Sequence, residues 1–302
     1  MLDRPNTYAG VPLDRAALHR KDADWLAGAW ASPAARILPV SRSRNFVCPP
    51  AETPRAVFVP VGSFQDAEPV FLGLLDGAPL FAVDLGAAEA PEEHPGLAGL
   101  GRFEDLRTVG PLMEAGEAAL CAYARGMVWW NARHRFCGVC GAPAAGAEGG
   151  HQRVCTDPAC ATRHFPRTDP AVIMLVHDGG DRVVLGRNAR FPTGLHSVLA
   201  GFVEPGESLE DAVAREVMEE VGLAVTDIRY HSSQPWPFPS SLMLGFSARA
   251  VSFDIRPDLD ELESARWMER AFLRDHTPGE DFRLARRDSI AWRLISEWIA
   301  AG

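Results

Sequence analysis

The sequence predicts an α+β protein built from an N-terminal α/β domain, a small four-cysteine module and a C-terminal α/β domain. Three observations support this: short apolar runs typical of β-strands, four cysteines in a Gly/Ala-rich stretch, and β-rich runs alternating with amphipathic helices after Thr168. A chain of 302 residues is long enough for two domains and a small module. We place the boundaries at 1–131, 132–166 and 167–302.

Two apolar runs in the N-terminal domain predict strands, Val57–Val61 and Pro79–Val83. Asp76-Gly77 precedes the second run and is typical of a hairpin turn. The stretch from Pro111 to about Trp130 has helical periodicity. No cluster that indicates catalysis occurs in this domain.

The C-terminal domain has sharper signals. Strands are predicted at Val172–Val176 and Arg182–Leu185, joined by a hairpin over 178–181. A helix at about 208–221 begins with a Ser208/Asp211 capping box and ends at Gly222. Further elements are predicted in the order strand 242–250, strand 265–269 and amphipathic helix 284–300.

Composition and charge narrow the function classes. Thirty basic and forty acidic residues give a net charge of −10, so the chain has no general affinity for nucleic acid or anionic membranes. No apolar run is long enough to span a bilayer, and the first seven residues have no apolar signal region. We therefore expect a cytoplasmic protein without a membrane partner, whose six cysteines are thiols or metal ligands.

The central helix concentrates negative charge. Glu216, Glu219 and Glu220 fall within one arc of the helix, beside an apolar stripe of valines. Three close carboxylates repel one another, and a hard cation such as Mg²⁺ removes that repulsion while bridging to a phosphate. Arg215 offers a counter-charge for one carboxylate. The alternative is an ordinary solvated acidic face.

The surroundings of this helix favour the metal site. The run Gly201-x5-Glu207-x7-Arg215-Glu216-Val217-x-Glu219-Glu220-x-Gly222-Leu223 resembles the Nudix box at every defined position. The resemblance implies an α/β/α sandwich, dependence on Mg²⁺ or Mn²⁺, and attack of water on phosphorus. It makes Glu216, Glu219 and Glu220 metal ligands and Glu207 a supporting carboxylate.

A proline-rich segment follows the box. Ser233–Ser241 is either a stiff polyproline linker or protein ligand, or a pocket whose rigid, exposed Trp236 and Phe238 stack on flat rings. The segment resembles the SQPWPFPxS motif of the NADH pyrophosphatase branch of the Nudix family. That resemblance assigns substrate binding to Gln234, Pro235, Trp236, Pro237, Phe238, Pro239, Ser240 and Ser241.

Other positions agree with this branch. Phe165–Ile173 resembles its YPRxDPAVI segment, with Phe165 in place of tyrosine, so that only the ring is kept. By the same resemblance the Ala200 carbonyl is a metal ligand, Phe202 is a stacking ring, Glu261 is a further metal ligand and Ala291 contacts substrate. For Glu261 and Ala291 the alternatives are a surface acid and a helix-packing alanine.

The four cysteines of the module form two close pairs, Cys137/Cys140 and Cys155/Cys160. Tetrahedral Zn²⁺ with four thiolates requires this layout, and such a closed site is structural. Disulfides and an iron–sulfur site are the alternatives; three nearby ligand candidates, His134, His151 and His164, are not needed for a full shell. The NADH pyrophosphatase branch has a zinc ribbon here. Cys48 and Cys121 are expected to be ordinary thiols.

The resemblance implies hydrolysis of NADH, and less selectively NAD⁺, to AMP and the nicotinamide mononucleotide by a homodimer. One alternative has the same chemistry with NAD-capped RNA as the main substrate. Another is a non-catalytic nucleotide sensor or nucleic-acid binding module, against which the intact set of carboxylates argues.

Overall fold

The computed structural model describes residues 5–48, 53–64 and 67–302. The first four residues of the N-terminal heptapeptide therefore lie outside the described part. Contacts divide the chain into an N-terminal unit, 7–168 with 236–240, and a C-terminal unit, 1–6 with 169–235 and 241–302. In the described ranges no helix is both long enough and apolar enough to cross a membrane.

The N-terminal unit is a sheet covered by helices on both faces. Its seven-stranded sheet has the order β3-β2-β1-β6-β5, with β4 on β1 and β7 on β2. The helices are α1 Ala23–Ala31, α2 Leu106–Val109 and α3 Ala115–Arg133, and the strands are β1 Arg36–Ser41, β2 Arg44–Cys48, β3 Arg55–Ala56, β4 Val59–Pro60, β5 Pro69–Leu75, β6 Ala78–Asp84 and β7 Arg102–Glu104.

Alternating residues of the central strands pack in two hydrophobic cores, one on each face of the sheet, as the two-residue period of a β-strand requires. Leu80 and Ala82 of β6 join the core that includes the buried face of α3, while Phe81 and Val83 join the core under α1. The α/β layering predicted for this unit is confirmed.

Two local predictions in this unit have different outcomes. The hairpin prediction is confirmed, because β5 and β6 pair antiparallel and both Asp76 and Gly77 have positive φ, as a type I′ turn requires. The single strand over 57–61 is wrong. Pro60 has no N–H for a continuing ladder, and the chain enters a helical turn at Val61 after the two-residue β4.

The cysteine module adds a small antiparallel sheet to the same unit. Its order is β10-β9-β8, and its strands are β8 Ala144–Ala147, β9 Gln152–Cys155 and β10 Arg163–His164.

The C-terminal unit is an α/β/α sandwich. Its six-stranded sheet has the order β15-β16-β11-β12-β17, with β14 on β11, and β13 pairs with β18 separately. The strands are β11 Asp169–His177, β12 Arg182–Arg187, β13 Leu195–His196, β14 Leu199–Phe202, β15 Val225–Trp236, β16 Ser241–Ala250, β17 Ser264–Glu269 and β18 Arg283–Leu284, and the helices are α4 Leu209–Val221, α5 Arg270–Asp275 and α6 Ile290–Ala300.

The central strand β11 explains the layering. Val172, Met174 and Val176 pack in the core with α4, whereas Ile173 and Leu175 pack in the core with α6. A strand buried on both faces has the continuous apolar sequence seen here. The expected sandwich is confirmed.

Helix α4 begins and ends as predicted. Ser208 and Asp211 form the capping box, and Gly222 ends the helix in the left-handed conformation. The last helix begins later than expected, at Ile290 rather than 284, because Ser289 caps it and Leu284 belongs to β18. Strand β15 was not predicted at all.

Candidate active site

Helix α4 buries two acidic side chains one turn apart. Glu216 and Glu220 are 9% and 6% exposed, whereas the side chain of Glu219 is 58% exposed. The valine stripe of α4 packs against the sheet, so its neighbouring carboxylates are drawn to the rim of the core. The solvated-face alternative therefore fails for two of the three acids.

Arg215 holds this acidic group together. Its Nη1 donates to Glu216 Oε1 at 2.9 Å and to Glu219 Oε2 at 2.8 Å. Its Nε and Nη2 bind both oxygens of Glu207, and Nη2 also donates to the Phe202 carbonyl at 2.9 Å. The Arg215 hydrogen bonds lower the pKa of Glu207 to about 2, so Glu207 is ionised at neutral pH and both of its oxygens are bound by Arg215. Arg215 thus orients three carboxylates rather than the one expected.

A glycine is required directly beside Glu216. A Cβ placed on Gly201 would lie 1.8 Å from Glu216 Cδ and 2.0 Å from its Oε1. At contacts under 3.0 Å one of the two groups must shift, and the group here is the end of the Glu216 side chain, so a Cβ at position 201 would displace this carboxylate. Gly201 therefore lets β14 approach the carboxylate closely.

Glu220 is the carboxylate of the site whose charged form is least favourable. Burial raises its pKa to about 8, and the negative charges of Glu216 and Glu261 add to the shift, while the Ala200 backbone N–H opposes it. Among the described residues its buried Oε2 has no hydrogen-bond partner. A buried carboxylate oxygen without a donor requires a proton or a cation.

The donor set fits a hard divalent cation. Oxygen ligands suit Mg²⁺ and Mn²⁺, and Glu261, though exposed, is close enough for its charge to raise the pKa of both Glu216 and Glu220. In the described ranges, however, the acidic side chains do not form a group of three or more that is already closed around one ion. Mg²⁺ commonly binds through one or two carboxylates and completes its shell with water and phosphate.

The four predicted cysteines form a compact second cluster. Their sulfur atoms all lie within 4.8 Å of one another, with Cys137 Sγ 3.8 Å from Cys160 Sγ and Cys140 Sγ 3.4 Å from Cys155 Sγ. Four sulfurs about 2.3 Å from one ion at tetrahedral angles have nearly this spacing. His164 Nε2 lies 3.3 Å from Cys137 Sγ, so that histidine contacts a ligand instead of replacing one.

Backbone and side-chain donors lower the pKa of Cys137 and Cys160 and so favour their thiolates, whereas the pKa values of Cys140 and Cys155 are raised. Backbone N–H groups of Cys140 and Val139 lower the pKa of the Cys137 thiol. Thr162 Oγ1 lies 3.1 Å from Cys160 Sγ. All six cysteines are free thiols, which excludes the disulfide alternative in this structure.

The residues expected to bind substrate do not all lie in one unit. Phe202 presents a 60% exposed ring beside the Arg215-bound carbonyl, in the C-terminal unit. Gln234, in the same unit, is fully buried; its Nε2 donates to the Asp288 carbonyl and its Oε1 accepts from Ile290 N–H. Ala291 is buried in the α6 core, as in its helix-packing alternative.

The prolines and aromatics at 236–240 belong to the N-terminal unit, as does Phe165, which is 59% exposed. The expectation of two exposed rings is wrong for Phe238, which is 8% exposed and packs in the core with Tyr8. Trp236 is half-buried. Phe238 is buried because Arg107 and Arg125 both lie over its ring, at 4.6 and 4.7 Å, and their stacking requires this position. The substrate-binding roles at 234–241 stay predictions.

Two contributions to the site were missed from the sequence. The clearance that Gly201 provides depends on the distance between β14 and α4, which no local pattern encodes. Asn188 donates to the Glu261 backbone carbonyl at 2.8 Å, a contact across 73 positions that gives no sequence signal.

Three family models match the chain in order. They are the NADH pyrophosphatase-like rudimentary NUDIX domain at 33–130, the NADH pyrophosphatase zinc ribbon domain at 132–165 and the NUDIX domain at 167–288. The NAD-capped RNA hydrolase NudC of Mycobacterium bovis is 37% identical over 96% of this chain and 93% of its own length. The chain belongs to the NADH pyrophosphatase branch of the Nudix family. Its cysteine module is a zinc ribbon, and the four cysteines are placed to hold a structural zinc ion.

Other relatives are similar over less of their length. The NAD-capped RNA hydrolase NudC of Stutzerimonas stutzeri is 42% identical over 76% of both chains. The human NAD-capped RNA hydrolase NUDT12 is 44% identical over 61% of this chain, a match that spans only 42% of the human protein. This chain thus matches less than half the length of that human relative.

Removing one cysteine tests the zinc. Cys160→Ser should abolish stoichiometric zinc in the purified protein and lower the melting temperature by at least about 5 °C, because structural zinc contributes several kcal/mol. Cys48→Ser, outside the cluster, is the control and should keep its zinc. Full zinc content in Cys160→Ser, measured by atomic emission, would contradict the assignment.

Gly201→Ala tests the close approach of β14 to Glu216. The added Cβ displaces the carboxylate, so we expect turnover to fall at least about 100-fold, as a displacement of about 1 Å at a catalytic group does. Gly279→Ala, where a Cβ meets nothing within 4 Å, should leave turnover unchanged. Equal activities of the two variants would refute the proposed constraint.

Glu220→Gln tests the buried charge. A carboxyl whose folded pKa of about 8 exceeds its unfolded value of about 4.3 destabilises the metal-free fold progressively as pH rises between these values. At pH 9 the metal-free variant should therefore be more stable than the wild type by more than about 1 kcal/mol, since one pKa unit corresponds to about 1.4 kcal/mol.

Denaturant titrations at pH 5 and pH 9 measure this difference, which should be several-fold smaller at pH 5, because that pH lies only slightly above the unfolded pKa. Added Mn²⁺ should stabilise the wild type and not Glu220→Gln. The exposed Glu210→Gln on the same helix is the matched control. A variant less stable than the wild type at pH 9 would show that the carboxylate is satisfied in some other way.

Proposed function

We propose that the chain hydrolyses the pyrophosphate bond of NADH, and less selectively of NAD⁺, releasing AMP and the nicotinamide mononucleotide. The observation that carries the proposal is the buried pair Glu216 and Glu220. Among the described residues Glu220 Oε2 has no hydrogen-bond partner, so it needs a proton or a cation, and a bound divalent cation would satisfy it. The match to the NADH pyrophosphatase family models supports the choice of a dinucleotide.

In this proposal Glu216, Glu219, Glu220, Glu261 and the Ala200 carbonyl hold Mg²⁺ or Mn²⁺. The bound ions supply positive charge for the diphosphate and lower the pKa of a coordinated water. Arg215 and Glu207 act as positioning residues, because their mutual ion pair fixes the orientation of Glu216 and Glu219. The exposed ring of Phe202 is available for stacking on a nucleotide base.

A second candidate substrate is NAD-capped RNA. The relatives from Stutzerimonas stutzeri and Mycobacterium bovis are both named NAD-capped RNA hydrolases, and they align with 76% and 96% of this chain. The same pyrophosphate lies between the two nucleosides of the cap, so one site serves both substrates. A non-catalytic sensor is disfavoured, since the full set of carboxylates is present.

Three further features belong to the proposal: a cytoplasmic location, a homodimer, and the domain boundaries at 131/132 and 166/167. The six free thiols agree with a reducing compartment.

One assay separates these candidates. AMP release should be measured with NADH, NAD⁺, ADP-ribose and NAD-capped RNA, each with Mg²⁺ or Mn²⁺. We expect NADH to be hydrolysed fastest among the small substrates and Glu220→Gln to lose at least about 100-fold in rate, as the loss of a transition-state charge stabiliser does. Negligible NADH hydrolysis with rapid decapping would reverse the order of substrates, and binding without AMP release would establish the sensor.

A further inference from the structure

Apart from Phe165, which is expected to bind substrate, the zinc ribbon carries exposed aromatic and basic side chains that the proposed chemistry does not use. Phe136 is 66% exposed and Val139, in the tight turn between Cys137 and Cys140, is 73% exposed. The arginines at 133, 135 and 163 are exposed as well. We call the set Arg133, Arg135, Phe136, Val139, Arg163 and Phe165 the ribbon surface.

The two ends of this surface meet at the zinc cluster. His164 Nε2 lies 3.3 Å from Cys137 Sγ. Phe165 follows His164 in the chain and Phe136 precedes Cys137, so this contact brings the two segments that carry the rings together. The antiparallel pairing of Arg163 with Val154 fixes β10 against the body of the ribbon. The two exposed rings therefore lie on adjoining segments, and a zinc ion held by the four cysteines would make these segments rigid.

The ribbon is much less acidic than the rest of the chain. Residues 132–166 contain four arginines and two acidic residues, a formal charge of +2, whereas the other residues together carry −12. A zinc ion with four thiolates adds about −2 and leaves the segment close to neutral. Within the described ranges the guanidinium groups of Arg135 and Arg163 form no hydrogen bond or ion pair.

Unpaired cations beside exposed rings on a rigid support are the means by which proteins bind single-stranded nucleic acid. Arginines neutralise phosphates, and aromatic rings stack on unpaired bases without regard to sequence. Zinc knuckles are among the modules that bind RNA in this way. An acidic chain needs such a local surface, because its overall field repels a polyanion.

We propose that the ribbon surface binds the single-stranded RNA that follows the 5′ cap. This inference rests on the second substrate proposed above, NAD-capped RNA, because only that substrate carries a polynucleotide. It separates recognition into two parts: the acidic site acts on the pyrophosphate, and the ribbon surface binds the polynucleotide. NADH, which has no polynucleotide, does not use Phe136 or the arginines of the ribbon surface.

Binding can be measured apart from hydrolysis. The probe is a single-stranded RNA of about ten nucleotides with a 5′-monophosphate and a 3′ fluorophore, titrated by fluorescence anisotropy without Mg²⁺ or Mn²⁺. The test variant is Arg135→Ala/Phe136→Ala/Arg163→Ala. The matched control, Leu18→Ala/Lys21→Ala/Arg44→Ala, removes one exposed apolar side chain and two exposed cations elsewhere in the same unit.

We expect the test variant to bind the probe at least about 30-fold more weakly than the wild type, since loss of one stacked base alone costs about 5- to 100-fold. The slope of log Kd against log salt should fall by about 1.4, at about 0.7 per phosphate contact on a single strand. Zinc content, melting temperature and NADH hydrolysis of both variants should equal those of the wild type.

Equal RNA affinity of the test variant and the wild type would overturn the proposal, as would equal losses in the test and control variants. A change of oligomeric state by light scattering with unchanged RNA binding would make the ribbon surface a contact between two copies of the chain, and would also overturn it. Failure of the proposed function is distinct, since it appears as absent AMP release from every substrate while ribbon-dependent RNA binding persists.

Discussion

The crowding of negative charge at the rim of the C-terminal core is the constraint on which the rest of the site depends. Glu216 and Glu220 are buried one helical turn apart, and Glu261 adds its charge to both. Like charges in a partly dehydrated setting cost free energy that the fold must recover elsewhere. Packing of the valine stripe of α4 against the sheet supplies part of it, since those valines are fully buried.

Arg215 relieves this crowding unevenly. It neutralises Glu207 and binds one oxygen of Glu216 and one of Glu219, and among the described residues its guanidinium forms no hydrogen bond or ion pair with Glu220. The positive charge is thus used to orient carboxylates, while Glu220 is left with a raised pKa of about 8 and a bare oxygen. A side chain that satisfied Glu220 would stabilise the fold and remove the reason to bind a cation. The site is therefore suited to bind a cation, because Arg215 leaves the charge of Glu220 uncompensated.

The sequence predicted those parts of the molecule that depend on neighbours along the chain. The capping box at Ser208, the terminal Gly222 and the hairpin at Asp76-Gly77 each follow from a few adjacent residues, and each is observed. Features that depend on contacts between residues distant in the sequence were not predicted. The later start of α6 depends on Gln234, whose amide accepts the Ile290 N–H across 56 positions. The clearance at Gly201 depends likewise on a strand and a helix that meet only in the folded protein.

The motif at 233–241 shows why a motif can be recognised without its physical role being evident. Its aromatic residues were expected to be exposed rings on a constrained backbone, available to stack on flat rings. Phe238 instead lies under the guanidinium groups of Arg107 and Arg125, and Arg125 Nε donates to the adjacent Pro237 carbonyl at 2.8 Å. Burial lowers the pKa of Arg125, so the carbonyl acceptors and the ring must replace the water it has lost. A motif that satisfies a buried arginine is constrained at every position whether or not it contacts a nucleotide. Resemblance at this segment therefore identifies the family securely, while the contact with substrate has to be measured residue by residue.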